Sequence, residues 1–259
     1  MNWKNFFRTI TVMWGTFLLY KTVSLSLLYS LPNLQSKSYY EFIYFLIVSL
    51  ISIFIISLAK NLFASKISFS PKVTNSKKNI LIFIVPFILF GIDFIGGLAD
   101  IFRQPFYLII VSFASALGAA LFEEIRDRGF GTIGFDQSFP SSKWKPLIIT
   151  ICTSFLFSTT HYLNLLMPIA PSLEAVHQQV FYTFFMGMVF SVLTMRTGSI
   201  FYPIFFHFIN NLVPWTPTSD LSSVSSWGNL LVIYGVLPLF YTLWCLRPSK
   251  MLLKKKFEN

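Results

Sequence analysis

The chain has 259 residues, 54% of them hydrophobic, 19% aromatic and only 12% charged, with a mean hydropathy of +0.66. That is about half the charged fraction of a soluble domain, and a water-soluble fold of this size lacks the interior to hide 31 phenylalanines, so soluble enzyme classes drop out. The formal charge of +10 is spread between apolar segments and forms no basic face or stripe, which argues for anionic lipid headgroups and topology control and against nucleic acid.

Windows of roughly 20 apolar residues, the length needed to cross a hydrocarbon core, give eight candidate spans. In chain order they are Ile10 to Leu31, Phe42 to Ala59, Ile80 to Leu98, Pro105 to Phe122, Pro146 to Met167, Ala175 to Met195, Ile200 to Val213 and Gly228 to Leu246, the seventh short and interrupted. The first is too long for a signal-peptide core, contains Lys21 and lacks a small-residue cleavage pattern, so it is expected to remain as a helix. The fold class expected is therefore all-α: a polytopic membrane bundle of about eight helices around a buried polar cavity. Cys152 and Cys245 each lie in an apolar run and read as packing residues.

With the N-terminus inside, 17 Lys and Arg fall on cytoplasmic segments against two, Lys37 and Arg103, on the other side, Lys21 being left within a span. The positive-inside rule then places both termini in the cytoplasm. The lysine-rich stretch Lys60 to Lys78 reads as a hinge, which divides the chain into 1–78, with two helices and a basic loop, a core at 79–227, and 228–259, with the last helix and a basic tail. The Gly-, Pro- and Ser-containing segment Gly129 to Lys145 is a long connection for a bundle and is read as an interfacial loop.

An ionisable residue at membrane depth costs at least a few kcal/mol, so each one needs a partner or a function. At the end of the fourth span stands Glu123-Glu124-Ile125-Arg126-Asp127-Arg128. On a helix Glu124 and Arg128 are four apart and pair, while Glu123 points about 100° away and is the spare carboxylate. Read alone, the segment is also a solvated helix end that stops transfer. His161 lies deep in the fifth span after Ser158, Thr159 and Thr160, and His207 and Asn211 share one helical face in the seventh; either, taken singly, reads as polar glue between helices. Together, one free carboxylate, two imidazoles and an amide supply a general base, a proton relay or metal ligand, and oxyanion donors, which is a hydrolase inventory. His177 is accounted for by interfacial solvation, and Asp93 and Lys21 are read as structural.

At these residues the sequence resembles the CPBP family of intramembrane proteases, which contains the CAAX prenyl endopeptidases and bacterial bacteriocin-processing and self-immunity proteins. EExxxR matches Glu123, Glu124 and Arg128; FxxxH matches Phe157 and His161; HxxxN matches His207 and Asn211. The motifs occur in order between about Ile80 and Pro214, 38 residues separating Glu123 from His161 and 46 separating His161 from His207. The resemblance implies a helical core with a polar cavity reached from the cytoplasm, and endopeptidase chemistry. Glu123 with His161 would activate water, His207 and Asn211 would stabilise the oxyanion, and Glu124 and Arg128 would support them. The family is often labelled metalloprotease, and Glu123, His161 and His207 could supply three zinc ligands with an open fourth position. The alternative is a metal-free glutamate mechanism, and spacing does not choose.

The function expected is hydrolysis of a peptide bond in a membrane-associated peptide or protein near the cytoplasmic face, by a protein of the bilayer, fitting a bacterial plasma membrane. The alternatives are a bacteriocin self-immunity protein that acts by binding, and a small transporter that uses the same polar residues as a path. One feature fits poorly. His161 lies roughly 22 Å along its helix from Pro146, whereas Glu123 stands near the cytoplasmic end of its span. Either the fourth helix continues inside the protein past Phe122, or the fifth begins outside the membrane.

Overall fold

The computed structural model describes residues 1–30, 47, 50, 53–54, 57, 68–70, 77–167, 170–212 and 224–247. Seven helices make up the described part of the fold. Helix α1 is Trp3–Ser30. Helix α2 runs without interruption through Lys77–Pro86, a π segment at Phe87–Gly91, and Ile92–Phe102. Helix α3 is Phe106–Ser138, α4 is Lys145–Leu166 with its last turns 3₁₀, α5 is Leu173–Thr197, α6 is Phe201–Leu212, and α7 is Trp227–Cys245. Among the described residues five helices are long and apolar enough to span: Ile80–Phe102, α3, α4, α5 and α7. The expectation of about eight spans is thus met only in part. The seventh predicted span is the 12-residue α6, too short to cross alone, the first, α1, is not among the five, and most of the second lies outside the described residues.

Helix α5 is the hub. Two-thirds of its most apolar window is buried, and Phe190, Val189, Val192 and Leu193 are fully enclosed by α2, α4, α6 and α7. It starts on Ser172, whose hydroxyl accepts from the Ala175 amide at 3.1 Å, and stops at Gly198, whose φ of 68° is the left-handed C-cap geometry that glycine adopts without cost. A different device shapes α2. Pro86 has no N–H to give the carbonyl four residues back, so the Ile82 oxygen is left over; the Tyr241 hydroxyl of α7 donates to it at 2.7 Å, and the π segment follows immediately.

Helix α3 carries the main correction. The fourth span does not stop at Phe122: it continues through a π segment, Ile125–Gly131, into Thr132–Ser138, for 33 residues in all. At 1.5 Å per residue this is about 50 Å, longer than the hydrocarbon core. Gly129 to Ser138, read as an interfacial loop, is helical and largely buried, and the connection to α4 shrinks to residues 139–144. Close approach of α1 permits this. A Cβ on Gly134 would overlap the side chain of Thr9, and one on Gly131 would lie 2.8 Å from the Met13 sulfur. The Asn2 amide donates to the Ser138 carbonyl at 2.7 Å, which puts the start of α1 beside the end of α3.

The mismatch in depth disappears with this continuation. Glu123 is 15 residues from Ser138 and His161 is 16 from Lys145, so each lies about 22–24 Å along its helix from the same end of the bundle. Arg126 and Arg128, counted among the cytoplasmic charges, are 2% and 1% exposed and belong to the protein interior.

Candidate active site

The site is built where α3 changes pitch. All seven residues of the π segment are buried, and single π turns inside α-helices are frequent at functional positions. The wider turn lets Arg126, Asp127 and Arg128 point inward together. Arg126 donates twice to Asp127, from Nε at 2.8 Å and from Nη2 at 2.6 Å, and its guanidinium lies 4.8 Å from the Phe17 ring of α1 and 5.4 Å from Phe122. Arg128 donates from Nη1 to Glu124 Oε1 at 3.2 Å and lies 3.6 Å from Asp127. Its plane rests 4.5 Å from the Phe157 ring and 5.5 Å from Phe190. This is the i,i+4 acid-then-base couple expected from spacing, now in a fully buried form, where burial is tolerable because both charges are paired.

Glu124 does more than hold Arg128. Its Oε1 also accepts from His207 Nδ1 at 2.8 Å, which joins α3 to α6 across 83 residues of sequence. Because a carboxylate paired with arginine is an acceptor only, the Nδ1 proton is assigned to His207, and Nε2 is turned toward Glu123 Oε2 at 3.7 Å. The ring is stacked on Phe190 at 5.4 Å and meets Phe157 edge-on at 6.0 Å. His161 is fixed in the same way. Its Nδ1 faces the carbonyls of Phe157 and Ser158, each at 3.3 Å, and must donate to them, so in the neutral ring Nε2 carries the lone pair. Phe157, the first residue of FxxxH, lies against Arg128, His161 and His207 at once, its ring meeting His161 edge-on at 5.2 Å.

Glu123 is placed differently from its neighbour. Its side chain retains 18% exposure where Glu124 has none, and it is an electrostatic neighbour of His161, Arg126 and Lys21. Among the described residues Glu124 and Asp127 are in ion pairs with arginines and Glu123 is not. Asn211 follows His207 by one turn, on the same face of α6, and its Oδ1 accepts from Asn210 at 3.5 Å. The structure therefore brings Glu123, Glu124, Arg128 and His207 together directly, with His161 adjacent. His177, which packs on Tyr162 at 5.8 Å, and the exposed Asp93 stand apart.

Among the described residues no group of three His, Cys, Asp or Glu side chains is gathered to hold a metal ion. The zinc triad of Glu123, His161 and His207 is not assembled as ligands, although both Nδ1 atoms are engaged by protein acceptors as metal-bound histidines commonly are. An apolar groove of about 480 Å³ opens between α2 and α6, lined by Ile80, Phe83, Phe87, Tyr202 and Phe205 among others, and no site residue lines it.

Sequence reasoning missed two groups. Arg126 and Asp127 read as stop-transfer charges because nothing local shows that Phe17 covers them. Lys21 read as structural; its partner, Asn164, lies 143 residues away.

The family model of the Type II CAAX prenyl endopeptidase Rce1-like proteins matches residues 105–213, a segment that holds all three motifs. This match supports the CPBP/CAAX protease family. The matched segment begins at α3 and ends just past α6, so α1, α2 and α7 lie outside it. The family is one of intramembrane endopeptidases, which agrees with the apolar helices. No curated protein and no solved structure matches the chain.

Proposed function

We propose that the chain is an intramembrane endopeptidase that hydrolyses a peptide bond of a membrane-associated peptide or protein, with water activated by Glu123 and His161. One observation carries this reading: in a cluster whose other carboxylates are bound to arginines, Glu123 alone is free of an arginine partner, and it sits at the more open edge facing Nε2 of His207. Water held between the Glu123 carboxylate and the His161 Nε2 lone pair gives a proton to Glu123 as its oxygen attacks the scissile carbonyl carbon. As the C–N bond breaks, Glu123 returns that proton to the leaving amine. The oxyanion is met by the Asn211 amide and by His207, which donates from Nε2 when both ring nitrogens carry protons; Glu124, held by Arg128, supports that form through Nδ1.

The active face is assigned to the cytoplasmic side. The described helix ends on the side of Trp3, Lys77, Ser138, Lys145, Thr197 and Cys245 carry or adjoin Lys4, Arg8, Lys78, Lys143, Arg196 and Arg247, whereas the other ends have Arg103. This bias supports, by the positive-inside rule, a cytoplasmic N-terminus and a cytoplasmic end of α7. His207 lies six residues into α6, about 9 Å from Phe201, while Glu123 and His161 lie about 22–24 Å along their helices from Ser138 and Lys145, so a scissile bond has to enter the bundle to reach the site.

The test is cleavage of a lipid-anchored, quenched peptide in proteoliposomes. Wild type should cut it, and Glu123→Gln should fall at least about 100-fold while it still binds the peptide. Equal binding by both proteins with no cleavage by either would favour an immunity role exercised by binding.

A further inference from the structure

Lys21 is the chemically unusual residue outside the catalytic cluster. It lies in α1, beyond the family match, and is only 9% exposed. Its ammonium donates to Asn164 Oδ1 at 3.1 Å and to the Met167 thioether at 3.4 Å. Both acceptors are neutral, and among the described residues no carboxylate stands within ion-pair distance of it. An ammonium has three donors, so one N–H remains for a further acceptor. A buried cation with only neutral partners is costly, and an anion placed beside it is correspondingly favoured.

The location ties it to catalysis. Asn164 and His161 are three residues apart in the 3₁₀ segment Thr160–Leu166, a geometry that eclipses positions i and i+3 and separates them by about 6 Å along the axis. The amide that holds Lys21 therefore stands directly in line with the histidine that addresses the water. Its orientation is fixed from α5, since Asn164 Nδ2 donates to Gln179 Oε1 at 3.0 Å and so turns Oδ1 toward Lys21. Glu123 is the carboxylate whose charge Lys21 feels. Through Asn164, Lys21 is held one 3₁₀ turn of α4 from His161, and one to two residues of extended peptide cover an axial step of about 6 Å.

We propose that Lys21 receives a carboxylate of the substrate close to the scissile bond, and is thereby a specificity residue supplied by α1 to the CAAX-protease core. This rests on the endopeptidase reading of the site. The carboxylate comes either from the peptide's own C-terminus or from an acidic side chain. Four probes separate these sources: a hydrophobic peptide with a free C-terminus and no acidic residue, its C-terminal amide, the amide bearing one Asp, and the matching Asn peptide. Cleavage is measured for wild type, Lys21→Gln and Lys21→Arg, and binding of the same four peptides is measured in the Glu123→Gln background.

Wild type should prefer one carboxylate peptide to its neutral twin by roughly tenfold in KM. Lys21→Gln should abolish that preference while cutting the neutral twin as wild type does, and Lys21→Arg should restore part of it. Preference for free acid over amide identifies the C-terminus; preference for Asp over Asn identifies a side chain. Asn164→Asp, which gives the ammonium an internal carboxylate, should lose the preference as well and covers the case in which Lys21→Gln fails to fold. The proposal is overturned if wild type shows neither preference, if a preference survives in Lys21→Gln, or if Lys21→Gln slows all four peptides equally. Carboxylate-selective binding without cleavage by wild type would sink the endopeptidase reading and leave the Lys21 site standing.

Discussion

Glu123 and Glu124 are adjacent in sequence, chemically identical and predicted to fail in opposite ways. Glu124 is fully buried, accepts from Arg128 at 3.2 Å and His207 at 2.8 Å, and has no access to water. Glu124→Gln keeps the shape and still offers His207 an acceptor, but it leaves the Arg128 charge with only Asp127, at 3.6 Å. Breaking a buried ion pair by removing one partner costs about 3–5 kcal/mol, and the remaining Asp127 contact favours the lower end. For a chain of this size that corresponds to about 6–12 °C in apparent Tm. Glu123→Gln removes a carboxylate that is partly exposed and bound to no arginine, so its Tm should move by less than about 2 °C while hydrolysis falls at least about 100-fold. Thermal unfolding of both variants in one detergent, followed by tryptophan fluorescence, with peptide cleavage on the same samples, gives the comparison. Equal destabilisation by the two substitutions would refute the division of labour, as would a Glu123→Gln variant that retains activity.

Gly187 faces Arg128 and Ser154, and a Cβ there would come within 2.8 Å of Arg128 Nη2 and 3.0 Å of Ser154. Gly187→Ala should therefore lower both activity and stability, the latter by about 1–3 kcal/mol, although alanine is the better helix former; a Tm above wild type would contradict that close approach. Tyr241→Phe should cost about 1–3 kcal/mol with kcat unchanged, because the buried Ile82 carbonyl released by Pro86 loses its donor; an unaltered Tm would mean that the carbonyl finds another partner. Cleavage is expected to survive a chelator, since the three histidine and glutamate ligands are not gathered; activity lost on chelation and restored by added zinc would put a metal in the mechanism. A cysteine at position 123, with Cys152 and Cys245 replaced, should label slowly in the folded protein and rapidly after unfolding; full labelling at once would place the residue at the headgroups.

Much of the site was legible because helical spacing is a local rule. Glu124 with Arg128, and His207 with Asn211, are each four residues apart, and the inference that Glu123 would be the spare carboxylate follows from the same geometry. What was not legible is set by the third dimension. The bond from His207 to Glu124 spans 83 residues, and no periodicity reports it. The continuation of α3 was obscured because Arg126, Asp127 and Arg128 are charges that normally end a span. They are tolerated inside only because each finds an opposite charge, aromatic rings cover both guanidiniums, and a π turn aims all three inward. Gly131 and Gly134 read as loop residues for a related reason: their small size serves helix packing against Met13 and Thr9, a use that composition does not distinguish from flexibility. Lys21 stayed hidden because the 3₁₀ turn that aligns Asn164 with His161 exists only in the folded chain.

The most direct test of the central claim is the steady-state hydrolysis of one quenched peptide by purified wild type, Glu123→Gln and His161→Ala, each shown by its Tm to be folded. If Glu123 and His161 activate the water, cleavage falls at least about 100-fold in both variants with little change in KM. Hydrolysis at the wild-type rate by folded Glu123→Gln would contradict it.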